Sequence, residues 1–210
     1  MSINAKDVKK LRDRTSAGIL DCKKALQETD GDMDAAIEYL EKKGMTAAKD
    51  KAGRVAAEGL VDVWRNEEKT EAILAEINCE TDFVARNDQF KQFTAGVTEA
   101  IGSAGIESID ELDDVELDGT SIPEAVTEQI ASLGENINVR RFERLTNEEG
   151  TVGTYIHAGS QIGVLVSVDV DGEAQDDEVQ NFTRDVAMHI AAMNPPYVSD
   201  EEIPEEALES

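Results

Sequence analysis

The chain has 210 residues, of which 40% are hydrophobic, enough for an ordinary core in one large domain or two smaller ones. Its 46 acidic and 20 basic side chains give a formal net charge of -26 at pH 7, which argues against nucleic acid as a direct partner, because a phosphate backbone is bound by clustered Lys and Arg. No apolar stretch approaches the roughly 18 residues of a membrane span, and the start MSINAKDVKKLRDRT shows no apolar signal core, so no membrane association and a cytoplasmic location are expected.

The charge is uneven. Lys and Arg concentrate before about residue 54, whereas acidic side chains dominate from Glu107 onward, as in IDELDDVELD and GEAQDDE. Such a surface fits adaptation to a salty cytoplasm, where screening relieves self-repulsion, or a dedicated cation-binding role. The two cysteines, Cys22 and Cys79, form no CxxC pair and read as small buried hydrophobes.

In chain order, residues 1–44 read as a three-helix, partner-binding module. Val8 and Leu11 mark the first apolar face, with Asn4 as N-cap. After a break at Ser16, Ala17 and Gly18, a stripe of Ile19, Cys22, Ala25 and Leu26 gives the second helix. Asp32 caps the third, which runs through Ala36, Ile37 and Leu40 and is expected to stop at Gly44. Residues 45–57, rich in Ala, Lys and Arg, predict a helical connector.

The period then changes. Leu60 to Trp64 and Ala72 to Ile77 carry β-favouring residues around the polar RNEEKTE, a hairpin pattern, and a helix follows with Phe90, Phe93, Val97 and Ile101 at helical spacing. The same unit recurs. Glu58, Gly59, Val61 and Trp64 match Glu149, Gly150, Val152 and Tyr155, while NDQFKQFTAGVTEAI matches DDEVQNFTRDVAMHI. The expected fold is therefore α+β: the helical module, the connector, then two related hairpin-plus-helix halves at 58–146 and 147–210. The first half is completed by a helix with Ser121 as N-cap and Pro123 in its first turn, and by the strand INVRRFERL. No equivalent follows in the second, so either it lacks a closing strand or another chain supplies one.

No GxGxxG, P-loop, GxSxG or HExxH occurs, so an enzyme is not expected, nor is a cofactor. His157 and His189 lack close Cys or His neighbours, and no metal site is expected. Asp30, Asp32, Asp34, Ile37 and Glu41 fall at EF-hand positions, but Ala35 replaces the glycine of the sharp turn, and a capped helix is the better reading.

Between strand and helix, the loop NCETDFVARN sets an aromatic beside an acid; Phe83 and Val84 could simply cover a sheet edge. Together with TSAGILDCKKALQETDGDMDAAIEYLEKKG, GENINVRR and AMHIAAMNPPYVS, in that order, NCETDFVARNDQF resembles the elongation factor Ts family over nearly the whole chain.

The resemblance implies a module similar to ubiquitin-associated domains, and a two-part core gripping the G domain and third domain of elongation factor Tu, in its GDP-bound and nucleotide-free states. It implies that Thr81, Asp82, Phe83 and Val84 dislocate Mg²⁺ from that GTPase and promote GDP release. It carries partner contacts onto Arg12, Ile19, Leu20, Lys23, Lys51, Leu133, Gly134 and His157, although His157 fits a structural role on a strand edge equally well. Two departures stand out: Ser16 replaces the family's glycine, and Ile19 and Leu20 replace paired methionines, losing thioether adaptability. Many family members also continue into a helical hairpin and further strands, which leaves open the contact with the third domain and the formation of a homo-oligomer. The competing readings are an adaptor without exchange activity and a calcium-binding protein.

Overall fold

The computed structural model describes residues 3–15 and 17–204; the expected break at Ser16 lies outside the described residues. The chain is α+β, with helices and small antiparallel sheets. It divides into two compact units, Met1–Leu60 with Ala75–Phe142, and Val61–Leu74 with Glu143–Ser210.

In the first unit, α1 (Ala5–Thr15), α2 (Ile19–Glu28) and α3 (Met33–Lys51) pack round Leu11, Cys22, Ala25, Leu26, Ala36 and Leu40. Their starts follow from capping. Asn4 accepts from the Asp7 amide at 2.8 Å, and Asp32 accepts from the Asp34 and Ala35 amides at 3.0 Å each. The third helix does not stop at Gly44. It continues to Lys51 because Gly44 is a packing residue: a Cβ there would lie 3.3 Å from the Ala131 Cβ, and the alanines that follow favour helix. The expected connector is thus helical only to that point, with Ala52 as the C-cap.

Strands β1 (Glu58–Arg65) and β2 (Glu71–Cys79) form the first hairpin. Its turn is closed by Asn66, whose side chain accepts from the amides of Thr70 and Glu71 at 3.0 and 3.1 Å. A short helix α4 (Asp82–Ala85) leads into α5 (Asp88–Ala104), which buries Phe90, Phe93, Val97 and Ile101. A 3-10 helix (Ile109–Asp114) and a small ribbon of β3 (Glu116–Leu117) and β4 (Thr120–Ser121) occupy the acidic run. The ribbon turns on Asp118 and Gly119, both at positive φ (55° and 84°), the conformation that Asp-Gly favours in two-residue hairpins. Then come α6 (Ile122–Leu133), entered at Ser121 with Pro123 in its first turn, and β5 (Asn138–Thr146), which joins the sheet in the order β1-β2-β5.

In the second unit, β6 (Gly150–Ile156) pairs antiparallel with β7 (Gly163–Asp169), and α7 (Asp177–Met193) buries Thr183 and Ala187 against them. The order hairpin then helix therefore occurs twice. The matched glycines have one cause. A Cβ on Gly59 would lie 2.2 Å from the Ile77 carbonyl oxygen, and one on Gly150 would lie 2.0 Å from that of Val168. In each copy only glycine admits the neighbouring strand.

Candidate partner-binding site

Strand β2 delivers its last residue, Cys79, into the interior, and the chain then turns outward through Glu80. Thr81 is the N-cap of α4, its Oγ1 accepting from the Val84 amide at 3.4 Å. Ala85, 4% exposed, anchors the helix from beneath, so successive residues of this turn divide between interior and solvent. Val84 is half-buried, whereas Phe83 is 81% exposed. Asp82 pairs with Arg86 at 3.0 Å, one helical turn away.

Two further acids hold this turn. The Glu135 carboxylate accepts from the amides of Glu80 (3.1 Å) and Thr81 (2.9 Å) and from the Thr81 hydroxyl (2.6 Å). Glu80 answers by accepting from the Asn136 amide at 2.6 Å, with the Arg54 guanidinium 3.6 Å away; the Asn136 side chain donates to the Arg54 carbonyl at 2.8 Å. Burial, and secondarily the Glu135 charge, pushes the Cys79 thiol up to about 11, and it donates to the Thr81 carbonyl at 3.2 Å. Such a thiol stays protonated and unreactive. Glu80, Glu135, Asn136 and Arg54 were not among the site residues expected from sequence, although Glu135 and Asn136 directly after the helix-ending Gly134 were a signal.

Of the expected contacts, Leu133 is half-buried at the end of α6 and Gly134 is its C-cap at φ +80°, directly before Glu135. Ile19 and Leu20 open α2, 56% and 80% exposed. Arg12 and Lys23 are exposed, and Lys51 is half-buried in the last turn of α3. Exposure alone does not single these side chains out, for Val55 and Val198 are 81% and 94% exposed. All the expected contacts except His157 belong to the first unit. His157 lies in the second, one residue beyond β6; it is exposed, with its Nδ1 3.0 Å from the Tyr155 hydroxyl. His189 is on α7.

Among the described residues, no group of three or more His, Cys, Asp and Glu could hold a metal ion. Asp32, the centre of the EF-hand-like spacing, spends its carboxylate on capping α3. No helix among the described residues is long and apolar enough to cross a membrane.

Fold and surface together define an α+β protein whose conspicuous features are apolar side chains held out to solvent. The sequence profile described as Elongation factor TS matches residues 80–210. The chain is 49% identical to elongation factor Ts of Halothermothrix orenii, across 99% of this chain and 69% of the relative. It is 47% identical to that of a Nitratiruptor species, across 100% and 69%, and 44% identical to that of Clostridium novyi, across 99% and 68%. The chain belongs to the elongation factor Ts family, and so to the elongation factors of protein biosynthesis.

Proposed function

We propose that the chain is a guanine nucleotide exchange factor, catalysing no chemical reaction of its own: it binds elongation factor Tu carrying GDP, displaces Mg²⁺ and promotes GDP release so that GTP can rebind. The observation that carries this reading is Phe83, 81% exposed on a loop tied down on both sides, with Asp82 beside it. A GTPase holds GDP through its Mg²⁺ and the donors around the phosphates, so a wedge that disturbs the metal's supporting shell weakens all of these together. Phe83 supplies the apolar volume. Asp82 competes for polar groups around the metal, exchanging Arg86 for them, while Thr81 and Val84 shape the turn. Linkage then requires GDP and this chain to weaken each other's binding equally.

The other contacts serve docking. The three N-terminal helices, the last of which runs past Gly44 to Lys51, act as a module similar to ubiquitin-associated domains, joined by the remainder of residues 45–57 to a core of two halves, 58–146 and 147–210. Ile19 and Leu20 offer apolar area, Arg12, Lys23 and Lys51 offer charge, Leu133 and Gly134 extend the contact beside the loop, and His157 adds one from the second half. The work is done in the cytoplasm.

The test is the rate of fluorescent GDP release from elongation factor Tu, with this chain and with its Asp82→Ala, Phe83→Ala double variant. Strong acceleration by the parent and none by the folded variant is expected. Equal acceleration by both would remove the loop from the mechanism, and no acceleration by the parent would favour an adaptor.

A further inference from the structure

We propose that Glu135 is the positioning residue of the loop, holding Phe83 in its presented orientation by fixing the peptide that precedes α4. The proposal rests on the exchange reading above and assigns a second part of the chain to it. A four-residue helix has almost no stability of its own, because nucleation costs more than one turn of hydrogen bonds returns. What keeps α4 formed must come from outside it, and two sources are visible. One is Ala85, buried beneath the turn. The other is Glu135, whose carboxylate takes both consecutive amides, Glu80 and Thr81, and the Thr81 hydroxyl at 2.6 Å.

That hydroxyl contact sets a direction. With its proton committed to Glu135, the Thr81 oxygen is left with its lone pairs toward the Val84 amide, which is the capping bond of α4. The cap of the helix carrying Phe83 is therefore oriented by a side chain 54 residues further along. The grip is reciprocal, because Glu80 takes the amide of Asn136, the residue after Glu135. Each acid takes backbone amides from the other's segment, so the loop and the segment following Leu133 and Gly134 are tied together. Charged acceptors make such bonds stronger than neutral ones, and a carboxylate is the side chain that can hold three donors at once.

The experiment uses the full chain with Glu135→Ala and, to retain bulk and one acceptor oxygen, Glu135→Gln, each alone and with Phe83→Ala. Backbone amide exchange is read at Glu80, Thr81 and Val84, and GDP release from elongation factor Tu is followed at saturating chain. Expected is about tenfold faster amide exchange at these three positions in Glu135→Ala, unchanged exchange within α5, and about tenfold slower GDP release, with Glu135→Gln intermediate in both. In the Phe83→Ala background the Glu135 substitutions should change release less than about twofold, since their effect runs through Phe83. Unchanged amide exchange overturns the proposal, and so do fully additive effects, which would make Glu135 an independent contact. If the parent fails to accelerate release, the exchange reading falls, and the amide measurement still decides whether Glu135 holds the loop.

Discussion

Replacing Leu20 with alanine should separate the docking proposed for this side chain from the action proposed for the loop. Leu20 is 80% exposed at the second position of α2, so the fold gains little from its side chain, and alanine is at least as good a helix former. The stability change should stay within about 0.5 kcal/mol, as for other exposed positions. Binding is different. Full burial of a leucine is worth roughly 1.5–3 kcal/mol, so a partner that covers the open four-fifths gains about 1–2 kcal/mol once the methyl kept by alanine is discounted, or about five- to thirtyfold in affinity. The assay is the initial rate of fluorescent GDP release from elongation factor Tu as a function of the concentration of this chain. Leu20→Ala should raise the half-saturating concentration by that factor, leaving the saturating rate and the thermal midpoint where they were. A lower saturating rate at unchanged half-saturation would refute the reasoning by placing Leu20 in the exchange step. No change in either quantity would remove it from the contact surface. Ile19, 56% exposed, should show a smaller shift of the same kind.

Gly59→Ala should cost about 3 kcal/mol or more in urea unfolding, because its Cβ would meet the Ile77 carbonyl oxygen at 2.2 Å. Gly105→Ala, at φ +69° with nothing within 4 Å, should cost only about 1 kcal/mol; equal losses would contradict the steric account. Cys79, with its thiol pushed from 9.0 up to about 11, should resist iodoacetamide at about pH 8 in the folded chain and react on unfolding. Because the folded value is the higher, the stability linked to this thiol is full below 9.0 and is lost as pH rises through about 11. Glu128, exposed on α6, is raised above 4.5 by lost hydration and then by the charges of Glu41 and Glu124; stability therefore falls as pH rises through its folded value. Glu128→Gln should be the more stable protein at neutral pH and should lose that advantage as pH drops below 4.5, a difference thermal unfolding across pH would read. With a net charge of -26, the thermal midpoint should rise with KCl beyond physiological screening, and a flat or falling midpoint would reject salt adaptation.

Much of the fold was legible because its causes are local. Asn4 and Asp32 cap where side-chain chemistry says they should, and the buried faces of α2 and α5 follow the helical period. The repeat was legible because the strand pairing of each hairpin demands the same glycine. Gly44 misled because a glycine read in sequence cannot tell a stop from a close approach, and the Ala131 methyl that decides it comes from a distant helix, α6. The Asp118-Gly119 turn lies in an acidic run whose charge is itself the mark of a solvated surface and masks the turn signal. At the loop, the exposed aromatic could be singled out, but its support could not. Glu135 contributes through bonds spanning 54 and 55 residues, and no local pattern encodes such a pairing.

Leu20 and Phe83 occupy the same local position, each the second residue of its helix. Side chains on a helix lean toward its N-terminus and rest on the turn before their own. In a first turn that earlier turn is missing, so whether a large apolar group there is covered depends on what packs on it from outside the helix; Ile122 at the start of α6 is covered, whereas Leu20 and Phe83 are 80% and 81% exposed. The two helices differ in what holds them. The ten residues of α2 are fixed through Cys22, Ala25 and Leu26, all fully buried, so Leu20 can be released only by damaging a core. The four residues of α4 rest on Ala85 and on one carboxylate from a distant segment. Leu20 is thus built as a fixed point and Phe83 as a group whose orientation depends on a few hydrogen bonds. That is the division of labour expected where one contact docks a partner and the other must work its way into it.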